Sequence, residues 1–340
     1  MSDANPLAAI YGCSGLELSE DEKAFFGEAN PLGLILFQRN CESPEQVRGL
    51  VGDFRDCIGR DDAPVLIDQE GGRVQRLKPP HWRSAPAASS FADLYALEPD
   101  TAIEAARLNA RLIAHELSDL GITVNCAPVL DVPQPGADPI IGDRAYGDTP
   151  AQISVLANAV CEGFLDGGVL PVIKHIPGHG RADVDSHKAL PKVDADKDTL
   201  SEIDFAPFKD LNGMPWAMTA HVLYTAVDDE QPATQSPDVI KLIRGDIGFD
   251  GVLISDDLSM QALGGSYKFR TSASLAAGCD VALHCNGDMM EMRQVAAGCF
   301  PMSDAAVARV ERAEQMRLST WSPLPLDYDE AIILLNKMVA

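Results

Sequence analysis

The feature that most constrains the fold is a regular alternation of short apolar runs with stretches of helical periodicity. Each run is a nearly continuous series of Val, Ile, Leu and Ala, which is typical of parallel strands buried on both faces. The runs predict eight strands, at Ala8–Tyr11, Leu32–Phe37, Pro64–Asp68, Ile122–Val132, Val169–His175, Trp216–Leu223, Gly251–Asp256 and Asp280–Cys285. Eight strands that alternate with helices predict an α/β fold, a (β/α)8 or TIM barrel.

Several of the intervening helices have recognisable starts. Ser43 and Thr149 each precede a proline and stand three residues before a glutamine, a pattern that favours a helix cap. Thr101 with a glutamate three residues later, and Thr199 with the same spacing, predict two further caps. No linker rich in Pro, Gly or Ser divides the chain. We therefore expect one catalytic domain over residues 1–340, with closing helices from about residue 303 packed outside the barrel.

The composition indicates which classes of partner the protein can bind and which cellular compartment suits it. The chain has 51 acidic and 27 basic residues, a formal charge of -24, which disfavours nucleic acid and an anionic membrane surface as partners. Its eight cysteines include no Cys-x-x-Cys pair, so reduced thiols are expected. The segment Met1–Leu7 is polar and lacks the features of a signal peptide. We expect a cytoplasmic monomer whose partner is a small substrate.

Polar residues stand at the ends of the predicted strands, where a barrel gathers its reactive groups on one rim. They are Asp68, Gln69, Glu70, Asp131, Lys174, His175, His221, Asp256, Asp257, His284 and Asn286. The densest stretch runs from Lys174 to His187 and contains three histidines and two aspartates. This joint placement favours a catalytic rim.

Two chemistries fit such a rim. Metal-assisted hydrolysis could use imidazole and carboxylate ligands, namely His175, His179, His187, His221 and Asp256. The chain has neither a His-x-His on an early strand nor a His-Glu-x-x-His, so we expect no metal and no cofactor. The alternative is nucleophilic and acid-base catalysis of glycoside cleavage, for which Asp256 and His187 form a natural pair.

The stretch Lys174–Gly180, followed by Asp185-Ser186-His187, resembles the fifth-strand signature of family 3 glycoside hydrolases. The likeness is greatest to the single-domain bacterial β-N-acetylhexosaminidases of peptidoglycan recycling. It extends over about residues 8–300, through blocks at Gly33–Phe37, Asp68–Arg76, Ala127–Val132 and Gly248–Met260. The resemblance implies that Asp256 is the nucleophile, His187 the general acid/base and Asp185 its partner. It also implies five residues that hold the sugar, Asp68, Arg76, Arg144, Lys174 and His175.

The implied activity is that of a retaining exo-β-N-acetylglucosaminidase, which removes terminal N-acetylglucosamine from muropeptides through a covalent glycosyl-enzyme intermediate. The alternatives are a β-glucosidase or β-xylosidase of the same family and a non-catalytic sugar-binding barrel. The first usually carries its acid/base carboxylate on a second domain, and we expect no such domain here.

The residues themselves support an imidazole as the acid/base. A free imidazole titrates at about pH 6.5, so it both gives and takes a proton near neutrality. Asp185 lies two residues before His187 and can bond one ring nitrogen. We expect a loop made flexible by Gly178, Gly180 and Ala182, and an ion pair for Arg73. His221 could either contact the ligand or order the rim.

Overall fold

The computed structural model describes residues 5–340. Within that range, eight parallel strands close into a barrel in the order β1-β2-β3-β4-β5-β7-β9-β10, and β6 pairs with β8 outside it. The strands are β1 Leu7–Tyr11, β2 Pro31–Leu36, β3 Val65–Ile67, β4 Val124–Asn125, β5 Leu170–Ile176, β6 Lys192–Val193, β7 Trp216–Thr219, β8 Leu223–Tyr224, β9 Val252–Asp257 and β10 Val281–His284. The predicted (β/α)8 barrel is confirmed.

Helices follow every barrel strand in the described part of the chain. They are α1 Glu20–Ala29, α2 Pro44–Ile58, α3 Ala88–Tyr95, α4 Pro99–Asp119, α5 Pro150–Asp166, α6 Lys197–Thr199, α7 Ala206–Asp210, α8 Pro237–Gly245, α9 Tyr267–Ala277, α10 Met289–Ala296, α11 Asp304–Thr320 and α12 Tyr328–Met338. No helix within residues 5–340 is long and apolar enough to cross a membrane. The prediction for Met1–Leu7 falls mostly on residues 1–4, which lie outside the described residues.

The apolar runs are continuous because both faces of each strand are buried. In β1, Ala8 and Ile10 belong to the cluster inside the barrel, whereas Ala9 and Tyr11 pack in the cluster between strands and helices. Successive side chains of a strand point to opposite faces, so a strand covered on both sides needs apolar residues at every position. This requirement produced the runs that were read from the sequence.

Two predicted strands differ from the structure. The run Ile122–Val132 forms regular strand only at Val124–Asn125. Proline has no N–H to donate to a ladder, and Pro128 interrupts this segment. The run Trp216–Leu223 also divides, since β7 ends at Thr219 and Leu223 pairs with Lys192 in the small sheet.

The predicted caps at Ser43 and Thr149 are confirmed, because both side chains accept a hydrogen bond from the N–H three residues on. The predicted starts at Thr101 and Thr199 are wrong. Helix α4 begins at Pro99, and Thr101 donates instead to the Glu98 carboxylate at 3.0 Å. Helix α6 is capped by Asp196, which accepts from the Thr199 N–H at 2.8 Å. Helix α4 thus starts at a proline without a side-chain cap, whereas α6 uses an aspartate three residues before Thr199.

The last two helices lie against the barrel and its outer layer. Ala306 and Ala313 of α11 join the cluster inside the barrel, and Ala331 and Leu335 of α12 join the outer cluster. Alanine at the contact positions allows α11 to approach closely.

Candidate active site

A pocket opens at the carboxyl ends of the barrel strands. Seven of the eight site residues proposed from the sequence line it: Asp68, Arg76, Arg144, Lys174, His175, His187 and Asp256. The eighth, Asp185, lies behind the pocket wall and contacts His187. The fold therefore brings together residues from the ends of β3, β5 and β9 and from the segments that follow β3, β4 and β5.

Asp256 and Asp257 end β9 and both border the pocket, but only one carboxylate is free to react. Asp257 accepts hydrogen bonds from the Ser259 N–H at 2.9 Å, the Ser259 hydroxyl at 2.6 Å and the Cys285 N–H at 3.1 Å. Asp256 accepts a single hydrogen bond within the described residues, from the Asp257 N–H to Oδ1 at 2.7 Å. Its Oδ2 is left for a ligand, which favours Asp256 over Asp257 as the nucleophile.

The surroundings of Asp256 keep it ionised. Burial on its own would raise the pKa of this carboxyl group. The imidazoles of His221 and His175 and the N–H of Asp257 outweigh burial, so the pKa lies below its ordinary value. An ionised carboxylate with one unbonded oxygen is the form that attacks an electrophilic carbon.

His187 and Asp185 form a hydrogen-bonded pair on the loop that follows β5. His187 Nδ1 lies 2.8 Å from Asp185 Oδ1, and the His187 N–H donates to the same oxygen at 2.9 Å. Burial tends to raise the pKa of Asp185, but these hydrogen bonds lower it overall. Because an ionised carboxylate only accepts, Nδ1 carries a hydrogen and Nε2 is left to exchange the catalytic proton.

Alternating charges line the opposite wall of the pocket. Lys174 Nζ lies 2.8 Å from both Asp68 Oδ1 and Glu70 Oε1. Arg76 donates to Asp68 at 3.0 Å, and Arg144 donates to both oxygens of Glu70 at 2.8 and 2.9 Å. Lys174 has three N–H donors and uses two of them here, so one donor is left for a sugar hydroxyl.

This network sets the ionisation of its members. Burial opposes charge on Glu70, yet the nearby Lys174 and Arg144 lower its pKa to about 2. Burial also opposes charge on Asp68, but the nearby Lys174 and Arg76 hold its pKa well below its usual range. The two carboxylates in turn raise the pKa of Lys174 against the effect of burial. All five groups stay charged, and their positions are fixed by one another.

The sequence-based site omitted two carboxylates that the structure places in it. Glu70 was noted at the end of a strand but was not assigned a role, although it bonds two of the proposed sugar-binding cations. Asp131 is fully buried and bonds His175 Nδ1 at 2.7 Å. Their position at strand ends was the available signal, but their partners lie 44 or more residues away in sequence.

The two open questions about single residues have structural answers. His221 is fully buried, does not border the pocket, and bonds the Thr234 hydroxyl and the Asp257 carbonyl, so it orders the rim. Arg73 makes the expected ion pair, with Asp143 at 2.6 Å.

The histidines named for the metal alternative have other partners. His175 bonds Asp131, His179 Nε2 lies 3.1 Å from Ser186 Oγ, and both ring nitrogens of His221 are hydrogen-bonded. Across residues 5–340, no three His, Cys, Asp or Glu side chains are grouped so that they could hold a metal ion.

The segment Gly178–Ala182, which we expected to make the loop flexible, is packed against the barrel. Gly180 accepts a hydrogen bond from the Gln134 N–H at 3.0 Å, and a Cβ at Gly180 would stand 2.1 Å from the Val132 carbonyl oxygen. Ala182 is buried. After the buried Asp185 and Ser186, a run of exposed residues begins at His187, whose side chain is 64% exposed.

Comparison with known proteins is consistent with this geometry. Residues 12–313 match the family model described as the glycosyl hydrolase family 3 N-terminal domain. The chain belongs to glycosyl hydrolase family 3. This confirms the resemblance that was read from the strand-end motifs.

Curated relatives and solved structures within family 3 are similar over most of the chain. The beta-hexosaminidase of Alkalilimnicola ehrlichii is 39% identical over 82% of this chain and 80% of its own. The beta-hexosaminidase of Chromobacterium violaceum is 36% identical over 92% of this chain and 88% of its own. NagZ from Neisseria gonorrhoeae, in complex with N-trifluoroacetyl-D-glucosamine, superposes with a TM-score of 0.88 at 29% identity over the whole of both chains. A family 3 beta-N-acetylglucosaminidase from Paenibacillus sp. superposes with a TM-score of 0.84 at 31% identity. The superposition covers 97% of this chain and 66% of the Paenibacillus chain.

Proposed function

We propose that this family 3 enzyme is a retaining exo-β-N-acetylglucosaminidase that acts on muropeptides in cytoplasmic cell-wall recycling. Its enzyme class, a glycoside hydrolase of the β-N-acetylhexosaminidase type, follows from the family model and the curated relatives. The retaining mechanism, the sugar and the physiological substrate are the content of the proposal.

The observation that carries the proposal is the pairing of two groups across one pocket. Asp256 has an oxygen without a partner in the described chain, and His187 presents Nε2 while Asp185 holds Nδ1. A carboxylate that attacks and a second group that donates a proton are what a retaining glycosidase requires. The imidazole of His187 takes the place of the second carboxyl group.

In the first step, Asp256 Oδ2 attacks the anomeric carbon and forms a glycosyl ester, while the glycosidic C–O bond breaks. The leaving oxygen takes the proton from His187 Nε2. The remaining hydrogen on Nδ1 stays bonded to Asp185, which fixes the ring orientation throughout the step.

In the second step, His187 Nε2 takes a proton from water, and the resulting hydroxide attacks the anomeric carbon. The ester bond to Asp256 breaks and the carboxylate is restored. Two displacements return the original configuration at the anomeric carbon, which defines a retaining enzyme.

The pocket is suited to one terminal sugar. The charged wall of Asp68, Lys174 and Arg76 offers both donors and acceptors to hydroxyl groups, and Met218 and Leu283 border the pocket with apolar surface. The described ligand of the Neisseria gonorrhoeae structure is a glucosamine derivative with an N-acyl group. We therefore assign N-acetylglucosamine to this position, with the muropeptide beyond it.

The test compares turnover of three aryl β-glycosides, of N-acetylglucosamine, N-acetylgalactosamine and glucose. We expect the N-acetylglucosaminide to have the highest kcat/KM, and Asp256→Asn to abolish its turnover. Asp143→Asn, at the exposed pair with Arg73, is the matched control and should retain activity. The proposed specificity would be refuted by preference for the glucoside, and the proposed catalysis by an active Asp256→Asn variant.

The substrate is tested separately with purified muropeptides that carry anhydro-N-acetylmuramic acid. Mass spectrometry should detect free N-acetylglucosamine and a product shortened by that sugar. Turnover of the aryl glycoside without any release from muropeptides would contradict the physiological assignment alone.

A further inference from the structure

His221 occupies a hydrogen-bonded position directly behind the candidate nucleophile. It is fully buried and follows β7, while the carboxylates that it serves end β9. Its Nε2 lies 3.0 Å from the carbonyl oxygen of Asp257, and its Nδ1 lies 2.7 Å from the Thr234 hydroxyl oxygen. The residue does not border the pocket, so any effect on the reaction passes through these partners.

The partner of Nε2 determines that this nitrogen carries hydrogen. A carbonyl oxygen only accepts, so Nε2 must donate to Asp257. The Nδ1 side of the ring is held by the Thr234 hydroxyl, which also donates to the Ala220 carbonyl oxygen at 3.1 Å.

These contacts form a buried network of hydrogen bonds. Thr219 Oγ1 lies 2.8 Å from Thr234 Oγ1, which in turn contacts the ring of His221. The network thus extends from Thr219 through Thr234 and His221 to the main chain of Asp257. Hydrogen bonds in a buried site reinforce one another, so this network resists rotation of the ring.

The main chain of Asp257 is also what orients the nucleophile. Its N–H donates to Asp256 Oδ1 at 2.7 Å, which fixes one carboxylate oxygen and leaves Oδ2 for the sugar. The Asp257 side chain is anchored to Ser259 and Cys285, but its carbonyl group is held by His221. We propose that His221 is a positioning residue, which fixes the Asp257 backbone and thereby aims Asp256 Oδ2 at the anomeric carbon.

This inference rests on the proposed function, because it assumes that Asp256 attacks. It differs from a general structural role in what it predicts. Loss of the Nε2 donor should slow formation of the glycosyl-enzyme and leave binding of the sugar unchanged, since the hydrogen bonds of His221 go to Thr234 and Asp257 and not to the proposed sugar-binding side chains. A misplacement of about 1 Å at a reacting group costs about 10²-fold in rate.

The experiment measures covalent inactivation by a 5-fluoro N-acetylglucosaminyl fluoride in the full-length protein. Four variants are compared with the wild type: His221→Leu, His221→Gln, Thr234→Val and, as control, His115→Leu on helix α4. Glutamine can place an amide N–H near the position of Nε2, whereas leucine fills the space without a donor. The rate constant at saturation reports the chemical step, and the half-saturating concentration reports binding.

We expect the saturated rate constant to fall about 10- to 100-fold in His221→Leu, with half-saturation unchanged. His221→Gln should recover most of the loss, Thr234→Val should show a smaller loss, and His115→Leu should match the wild type. Equal rates in His221→Leu and wild type, or a change confined to half-saturation, would overturn the inference.

If His221→Leu does not fold, the variants Thr234→Val and His221→Gln test the positioning role instead. A wild-type rate in Thr234→Val, or a His221→Gln variant that folds but reacts no faster than background, would overturn the positioning role. Failure of the wild type to be labelled at Asp256 refutes the proposed function itself, and is therefore distinguishable from failure of this inference.

Discussion

At the scale of single residues, hydrogen bonding distinguishes the atoms of the candidate site that are held in place from those that are available to react. Asp256 keeps one oxygen unbonded, whereas the neighbouring Asp257 has both oxygens occupied by Ser259 and Cys285. His187 has one nitrogen held by Asp185 and the other available. The reactive atoms are thus those that the fold leaves without partners.

The acid role of His187 predicts an effect that depends on the leaving group. A poor leaving group needs a proton and an activated one does not, so His187→Ala should slow a disaccharide about 10²- to 10⁴-fold and an activated aryl glycoside far less. Pre-steady-state measurement of glycosylation with both substrates checks this. Lys192→Ala, at an exposed ion pair with Asp194 outside the pocket lining, is the control. Equal slowing of both substrates would mean that His187 is not the acid.

The role of Asp185 is tested by Asp185→Asn. An amide at this position can donate to His187 Nδ1, and that would stabilise the tautomer with hydrogen on the wrong nitrogen for catalysis. We expect a loss of kcat on the disaccharide that approaches the loss in His187→Ala, with little change in KM. Wild-type kcat in a folded variant would contradict the assignment of the tautomer.

At the scale of structural elements, the loop after β5 is positioned by close packing at its base. Its first residues are buried, and the chain passes so near Val132 that Gly180 has no room for a side chain. The base therefore fixes where Asp185 and His187 emerge. The exposed part beyond it carries the imidazole.

Gly180→Ala should consequently reduce activity by shifting the whole loop. A Cβ at this position would meet backbone at 2.1 Å, so the loop or the Val132 segment must move. The matched control is Gly52→Ala in α2, where nothing lies within 4 Å and alanine should stabilise the helix by about 0.5–1 kcal/mol. Thermal unfolding and kcat measured together separate the effects, and unchanged kcat in Gly180→Ala would contradict a fixed loop base.

The same elements show what can be inferred from sequence alone. The barrel was predictable because strands buried on both faces leave continuous apolar runs, and its rim because polar residues follow those runs directly. The short β4 and the start of α4 were not, since Pro128 interrupts the predicted strand and Pro99 takes the first position of the helix. The role of Glu70 depends on Arg144, 74 residues away, and no local pattern reports such a contact.

At the scale of the whole molecule, the charged wall of the pocket links stability to pH. Glu70 has a pKa of about 2 in the folded protein, against about 4.3 for a free glutamate. The unfolded chain thus binds the proton first, so the stabilisation is complete above about pH 4.3 and is lost as the pH falls towards 2. Asp68, with its lowered pKa, acts in the same direction.

Glu70→Gln should therefore lower the free energy of unfolding at pH 7 by about 3–5 kcal/mol, because Lys174 and Arg144 each lose a buried partner. It should also flatten the decline of stability on acidification below pH 4.3. Urea unfolding over a pH series measures both. Asp143→Asn, which removes an exposed ion pair, should change neither by much. A parallel decline in wild type and Glu70→Gln would refute the lowered pKa.

The central claim is that Asp256 forms a covalent bond to the sugar, and mass spectrometry after treatment with a fluoro-glycosyl inactivator tests it most directly. The intact protein should gain the mass of one glycosyl group, and peptide mapping should place that mass on Asp256. Asp256→Asn should gain no mass under the same conditions. A glycosyl group found on Asp257, or a wild-type protein that loses activity without any gain in mass, would contradict the account.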